Sequence, residues 1–215
     1  MAVAGATETD LLEILTTAEE VESVLGKPTP RALAKVVDAL DDICLAFIAR
    51  TPFILVASSN AAGHVDISPK GDPAGFVHVL DRKTIAIPER PGNRRADTFH
   101  NVLQNPKVGV IFMIPGKGET LRVSGTARIA RDPWLREQMA VTDRVPDLAL
   151  VVTVEEAFMH CTKCMVRSRM WQPDTWNAAG LASMAEAVIV HGRLVDFSVA
   201  ELQAMSENDI RTRLY

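Results

Sequence analysis

In the first 50 positions, apolar residues recur at helical spacing. Leu11, Leu12, Ile14 and Leu15 fall on one such face. Thr17-Ala-Glu-Glu20 has the form of a capping box, with Thr17 as N-cap and Glu20 as its reciprocal partner. Lys27-Pro-Thr-Pro30 interrupts the pattern. Leu33, Val36, Val37, Leu40, Ile43, Leu45 and Phe47 then predict a second helix from Arg31 to Ala49, which Arg50-Thr-Pro52 ends.

Beyond Pro52 the period shortens. Phe53–Ser58, His64–Ser68, Gly75–Leu80, Thr84–Ile87, Val108–Met113, Leu121–Ile129 and Ala149–Val154 all read as strands. Turn signals separate them: Asn60-Ala-Ala-Gly63, Pro69-Lys-Gly-Asp-Pro73, Asp81-Arg82 and Pro115-Gly-Lys-Gly118. A helix from Arg95 to Gln104 interrupts the series. A shorter one follows, with Asp132 as N-cap and Pro133 at its first position. Glu155–Arg169 and Val199–Leu214 are expected to be helical. The chain thus reads as mainly β with flanking helices (α+β): a six- or seven-stranded antiparallel sheet that closes into a barrel and so protects its edges. Residues 1–50 form a helical extension packing on the barrel, 51–155 the barrel core and 156–215 a C-terminal helical segment, all in a single domain.

Composition narrows the function. The 215 residues are 47% hydrophobic and 23% charged, ordinary for a globular domain. The net charge is −4, and a nucleic-acid binder needs a basic footprint. Ile43–Ala49 and Val108–Ile114, the longest apolar runs, fall short of the roughly 20 residues that cross a bilayer. The opening MAVAGATETD has no basic region ahead of an apolar run, so no secretory signal is expected. Three cysteines do not make a disulfide framework. A cytoplasmic location is the expectation.

Candidate chemistry concentrates at strand ends. In Ile87-Pro-Glu-Arg-Pro-Gly-Asn-Arg-Arg-Ala-Asp97 a strand ends, a glycine-containing loop turns, and a helix starts with Arg94-Arg95 in its first turn. Cations there oppose the helix dipole unless an anion lies between them and the free N–H groups. Asn93 is an N-cap or an extra donor. The segment is either a phosphate site or two solvated arginines beside a loop. Ser68-Pro-Lys-Gly71 places a hydroxyl and Lys70 after another strand, as a ligand contact or a polar turn. Alternation puts Thr120, Arg122 and Ser124 on one strand face, either edge-exposed or facing a ligand. Three such clusters in an acidic chain suggest a local basic pocket, and arginine suits bidentate phosphate recognition.

Several of these segments carry a family resemblance. Ile67-Ser-Pro-Lys-Gly-Asp72, Ile87-Pro-Glu-Arg-Pro-Gly-Asn-Arg-Arg95, Asn101-Val-Leu-Gln-Asn-Pro106, Val108-Gly-Val-Ile-Phe112 and Glu119-Thr-Leu-Arg-Val-Ser-Gly125 resemble the FMN-binding split barrel of the pyridoxamine 5′-phosphate oxidase superfamily, in the branch whose substrate is unassigned. His160-Cys-Thr-Lys-Cys-Met-Val-Arg-Ser-Arg-Met-Trp171 resembles the same branch. The resemblance implies a homodimer with two FMN molecules in clefts at the subunit interface. It matches Lys70 to a lysine after the strand that lines the flavin. It matches Ile87 and Pro88 to the strand end covering the ring and ribityl chain, and Asn93, Arg94 and Arg95 to the triplet that grips the phosphate. Thr120 stands where the oxidase has a glutamine near the ring. The oxidase's C-terminal Arg-x-His-x-Arg substrate signature has no counterpart near Tyr215, so pyridoxamine phosphate oxidation does not carry over.

In the C-terminal cluster, Cys161 and Cys164 have C-x₂-C spacing beside His160. A structural zinc needs four ligands, and Cys44, His64, His78, His100 and His191 are scattered, so no metal is expected. Lys163 and Arg167 share a helix face. With Ser168 they either complete a partner subunit's FMN cleft, floor a substrate site, or lie on solvated surface. The reading is an FMN-dependent oxidoreductase acting on a small organic molecule, without an identifiable acid–base side chain. The rivals are a non-catalytic flavin- or haem-binding module and a deazaflavin-dependent reductase using the same cleft.

Overall fold

The computed structural model describes residues 13–215. The chain divides into two compact units, 1–35 and 36–215. The first holds α1 (Ala18–Leu25) and α2 (Pro30–Leu33). The capping box forms as the sequence predicts: the Glu20 amide donates to Thr17 Oγ1 at 3.2 Å and the Thr17 amide to Glu20 Oε2 at 3.0 Å. Leu11 and Leu12 lie outside the described residues, and Ile14 and Leu15 stand in irregular chain ahead of α1.

The second unit opens with a departure from the predicted long helix. Helix stops after Leu33 and resumes only as α3 (Asp42–Ile48). Two interactions outbid helix propensity between them. Val37 bridges Ala157 through paired backbone hydrogen bonds of 2.9 and 2.8 Å, and the Leu40 amide donates to the Arg82 carbonyl. Asp41 then starts a new helix by accepting from the Cys44 amide at 2.8 Å.

Seven strands follow: β1 (Phe53–Ser59), β2 (Val65–Gly71), β3 (His78–Asp81), β4 (Thr84–Pro88), β5 (Lys107–Met113), β6 (Thr120–Ala130) and β7 (Ala149–His160). They form one antiparallel sheet in the order β2-β1-β5-β6-β7-β4-β3. β2 runs through Pro69, which sequence reading places in a turn. As an edge strand, β2 tolerates a residue without an amide proton. β7 runs on to His160 where a helix was expected from Glu155. Leu121 pairs with Met159 and Val123 with Ala157, and Ala157 is fully buried, so alternation and burial extend the strand. The β6–β7 register shifts at Ser124/Gly125. A Cβ at Gly125 would lie inside the Thr153 carbonyl, so only glycine fits.

The core lies on one face of this sheet. Ile54, Val56, Ile85, Ile87, Val110, Phe112, Leu121, Val123, Leu150 and Val152 fill it. α4 (Asp97–Gln104) packs against β1, β2 and β6 and inserts Phe99 and Val102. α5 (Pro133–Gln138) covers the other face of β4 and β7, with Leu135 and Met139 against Ala86, Ala149 and Val151. Both faces of β4 are therefore buried, which is why its sequence is apolar without alternation. α6 (Lys163–Ser168), α7 (Met184–Gly192) and α8 (Val199–Arg213) complete the chain.

Candidate functional site

The loop from Glu89 to Ala96 leaves β4 and enters α4, and one buried anchor fixes it. Arg90 Nε donates to Asp72 Oδ2 at 2.6 Å and Arg90 Nη2 to the Met139 carbonyl at 2.8 Å. The Asp72 side chain is 1% exposed and that of Arg90 15%. The Tyr215 ring lies 5.6 Å from the guanidinium, and the hydrogen bond from its hydroxyl to Asp72 holds the phenol pKa above its ordinary value. Burial, with Arg90 nearby, holds His78 below the usual histidine range.

Past this anchor the backbone takes two left-handed residues, Arg94 (φ 59°) and Ala96 (φ 54°). The Arg95 amide donates to Asn93 Oδ1 at 3.0 Å. α4 begins at Asp97, with Ala96 as N-cap and no side-chain cap on its free amides. Arg94 and Arg95 thus precede the first turn rather than occupy it, because left-handed Ala96 stops the helix from extending back and Asp97 supplies the negative charge that the dipole favours.

Two cavities flank the loop. The smaller, about 290 Å³, is lined by Ser68, Lys70, Asn93 and Arg95 together with Asp66, Glu89 and the first turn of α4. Lys70 is 2.6 Å from Glu89, with its side chain 13% exposed, and lies 5.8 Å from the Phe99 ring. Arg95 pairs with Asp97 at 2.7 Å. Both cations already face carboxylates. The Arg95 pair is exposed, so exchanging Asp97 for another anion costs little. Lys70 keeps donors to spare beside Glu89.

The larger cavity, about 560 Å³, takes Arg94 and Asn93 on one side and Arg144, Val145 and Leu148 on the other. The structure therefore groups Ser68, Lys70, Asn93 and Arg95, and turns Arg94 the other way. Ile87 is fully buried in the core, and neither it nor Pro88 lines either cavity. Thr120 is buried at the start of β6 opposite His160, whose Nδ1 is buried without a hydrogen-bond partner. Arg122 stacks on the cross-strand Phe158 ring at 5.1 Å. Lys163, Arg167 and Ser168 sit exposed on α6, with Ser168 donating to the Met165 carbonyl. None of these five reaches either cavity within the same chain. Among the described residues no three His, Cys, Asp or Glu side chains are placed to hold a metal.

Sequence reading missed Asp72, Arg90 and Tyr215. Asp72 and Arg90 stand inside the very segments singled out for other residues, but their pairing joins positions 18 apart, which no local period reports.

Seven antiparallel strands, with a loop and an uncapped helix after β4, define a split barrel of the type found in FMN-binding proteins. The family model described as pyridoxamine 5′-phosphate oxidase matches residues 40–161, over half of the chain, and the protein belongs to that family. No curated protein matches the chain. Among solved structures, HupZ of Group A Streptococcus is 20% identical over 57% of this chain and 95% of its own, with a TM-score of 0.47. A candidate pyridoxamine 5′-phosphate oxidase from Lactobacillus delbrueckii is 19% identical over 57% and 95%, with a TM-score of 0.46. An F420 reductase is 16% identical over 52% and 93%, with a TM-score of 0.40.

Proposed function

We propose that the protein is an FMN-dependent oxidoreductase acting on a small organic molecule. One observation carries the reading: the first turn of α4 has no side-chain cap and opens on a cavity that also holds Lys70, Asn93 and Arg95. Free helix N–H groups beside two cations and a side-chain amide suit a phosphate monoester. Ser68 adds a hydroxyl. Lys70 and Arg95 would exchange or share their carboxylates for the phosphate, while Asp66 and Glu89 limit how much negative charge the cavity accepts. FMN, when bound, supplies the electron-transfer chemistry. The chain's own residues bind and orient it, and the Arg90–Asp72 anchor holds the loop that does so.

In this reading the active unit is a homodimer. Thr120, Arg122, Lys163, Arg167 and Ser168, which reach neither cavity of their own chain, serve the cofactor cleft of the other subunit. Lys163 and Arg167 have no ion-pair partner among the described residues, which leaves them available. Three unpaired cysteines, Cys44, Cys161 and Cys164, support a reducing, cytoplasmic compartment. A phosphorylated deazaflavin satisfies the same donors, and absorption distinguishes it from FMN.

The test is a titration of FMN into wild-type protein, Lys70→Ala and Arg95→Ala, followed by flavin fluorescence. Each charge-assisted contact contributes about 1.5–3 kcal/mol, so each variant loses about tenfold or more in affinity. A Lys70→Ala/Arg95→Ala double variant that binds FMN as tightly as wild type overturns the assignment.

A further inference from the structure

We propose that Cys161 and Cys164 form a redox-active dithiol, closed into a reversible disulfide by an anionic low-molecular-weight disulfide. Both thiols are free and exposed, whereas Cys44 is buried. They bracket the start of α6. Thr162, with φ −74° and ψ −11°, is already helical, and Lys163 is the first residue of the helix. Two helical residues between the cysteines make a tight turn, whose end Cα atoms lie less than about 7 Å apart. A disulfide spans a Cα separation of about 4.4–6.8 Å.

The turn is held from outside. A Cβ on Gly118 would lie 2.9 Å from Thr162 Cγ2, so the loop ahead of β6 packs directly against it. Further on, Trp171 Nε1 donates to the Lys117 carbonyl at 2.7 Å. The cysteine segment is thus fastened at both ends to the same loop. Packing has already ordered the backbone that a disulfide must order, so closing the ring loses little chain entropy.

The surroundings select the oxidant. From Cys161 to Pro173 the chain carries Lys163, Arg167 and Arg169 and no carboxylate, and all three cations are exposed. Reactive cysteines occur in such electropositive, accessible surroundings, and the local field draws an anionic disulfide such as oxidised glutathione. One cysteine thiolate attacks it, the S–S bond breaks and one glutathione leaves as thiol. The second cysteine then attacks the mixed disulfide and expels the other. Two cysteine thiols give up two electrons and two protons, and one disulfide becomes two thiols. Lys163 ends inside the closed ring. The site does not depend on a bound flavin.

The experiment treats the freshly purified full chain with oxidised glutathione or with cystamine, a cationic disulfide, and follows intact mass and alkylatable thiols. Wild type should lose both exposed thiols, with a mass loss of two hydrogens, no glutathione retained and full reversal by dithiothreitol. Cystamine should react several-fold more slowly at low salt, and the difference should shrink as salt rises. Cys161→Ser and Cys164→Ser, checked for folding by circular dichroism, should each stop at a mixed disulfide with glutathione. Wild type that stays reduced, retains two glutathiones or links to a second chain overturns the dithiol site. Cystamine reacting as fast as oxidised glutathione overturns the choice of an anionic oxidant.

Discussion

Replacing Arg90 with methionine tests whether the buried anchor holds the cofactor loop. The substitution keeps much of the side-chain length and removes the charge. It strands the Asp72 carboxylate, 1% exposed, with the Tyr215 hydroxyl as its remaining partner, and it frees the Met139 carbonyl. Breaking a buried pair from one side costs about 3–5 kcal/mol. For a chain of this size each kcal/mol lowers Tm by roughly 2–4 °C, so a drop of roughly 6–20 °C is expected by calorimetry. The double variant Asp72→Asn/Arg90→Met removes the stranded charge and should recover a large part of the loss. A single variant within about 1 kcal/mol of wild type would show that the pair behaves as a surface ion pair. A double variant as unstable as the single one would show that the carboxylate is not the source of the cost.

Four further outcomes follow from the geometry. Gly125→Ala forces a methyl group into the Thr153 carbonyl and should cost about 1–3 kcal/mol or more, read as a lower urea midpoint. Cys44, whose thiol burial pushes up to about 11, should resist alkylation in the native protein near neutral pH, while exposed Cys161 and Cys164 react. The Asp41 carboxylate is held below the ordinary aspartate range by the Cys44 amide that it caps. Its stabilisation is therefore full above that range and lost as pH falls through it, and Asp41→Ala should cost about 0.5–2 kcal/mol at neutral pH and little in acid. The Tyr215 phenol is raised by its bond to Asp72, so its contribution should persist through neutral pH and fade only in strong alkali. Tyr215→Phe should flatten that alkaline limb of the stability curve.

The strands were legible because alternation and turn residues are local. All seven appear in the structure, six of them within about three residues of their predicted bounds and β7 six residues longer than predicted, and they include β4, whose continuous apolar run signals burial on both faces. Capping boxes were equally legible at Thr17. What failed was non-local. The helix expected from Arg31 to Ala49 breaks because Val37 finds Ala157, 120 positions away. The helix expected from Glu155 is strand because β6 offers it a partner face. The site splits the same way. The loop after β4 announced itself through its arginines. Yet sequence alone set Arg94 and Arg95 side by side, whereas the left-handed backbone at Arg94 and Ala96 sends them to different cavities. That Lys70 already faces Glu89, 19 positions away, is a tertiary fact with no sequence period behind it, whereas the Arg95–Asp97 pair joins positions two apart.

The central claim is that this family member carries a flavin on the loop between β4 and α4. The most direct measurement is the absorption spectrum of the freshly purified full chain, with chromatography of any chromophore released by heat. The account predicts flavin bands and FMN in the supernatant, or their appearance after FMN is added to colourless protein. A colourless protein that takes up no FMN, or a released chromophore that is haem or a deazaflavin, would contradict it.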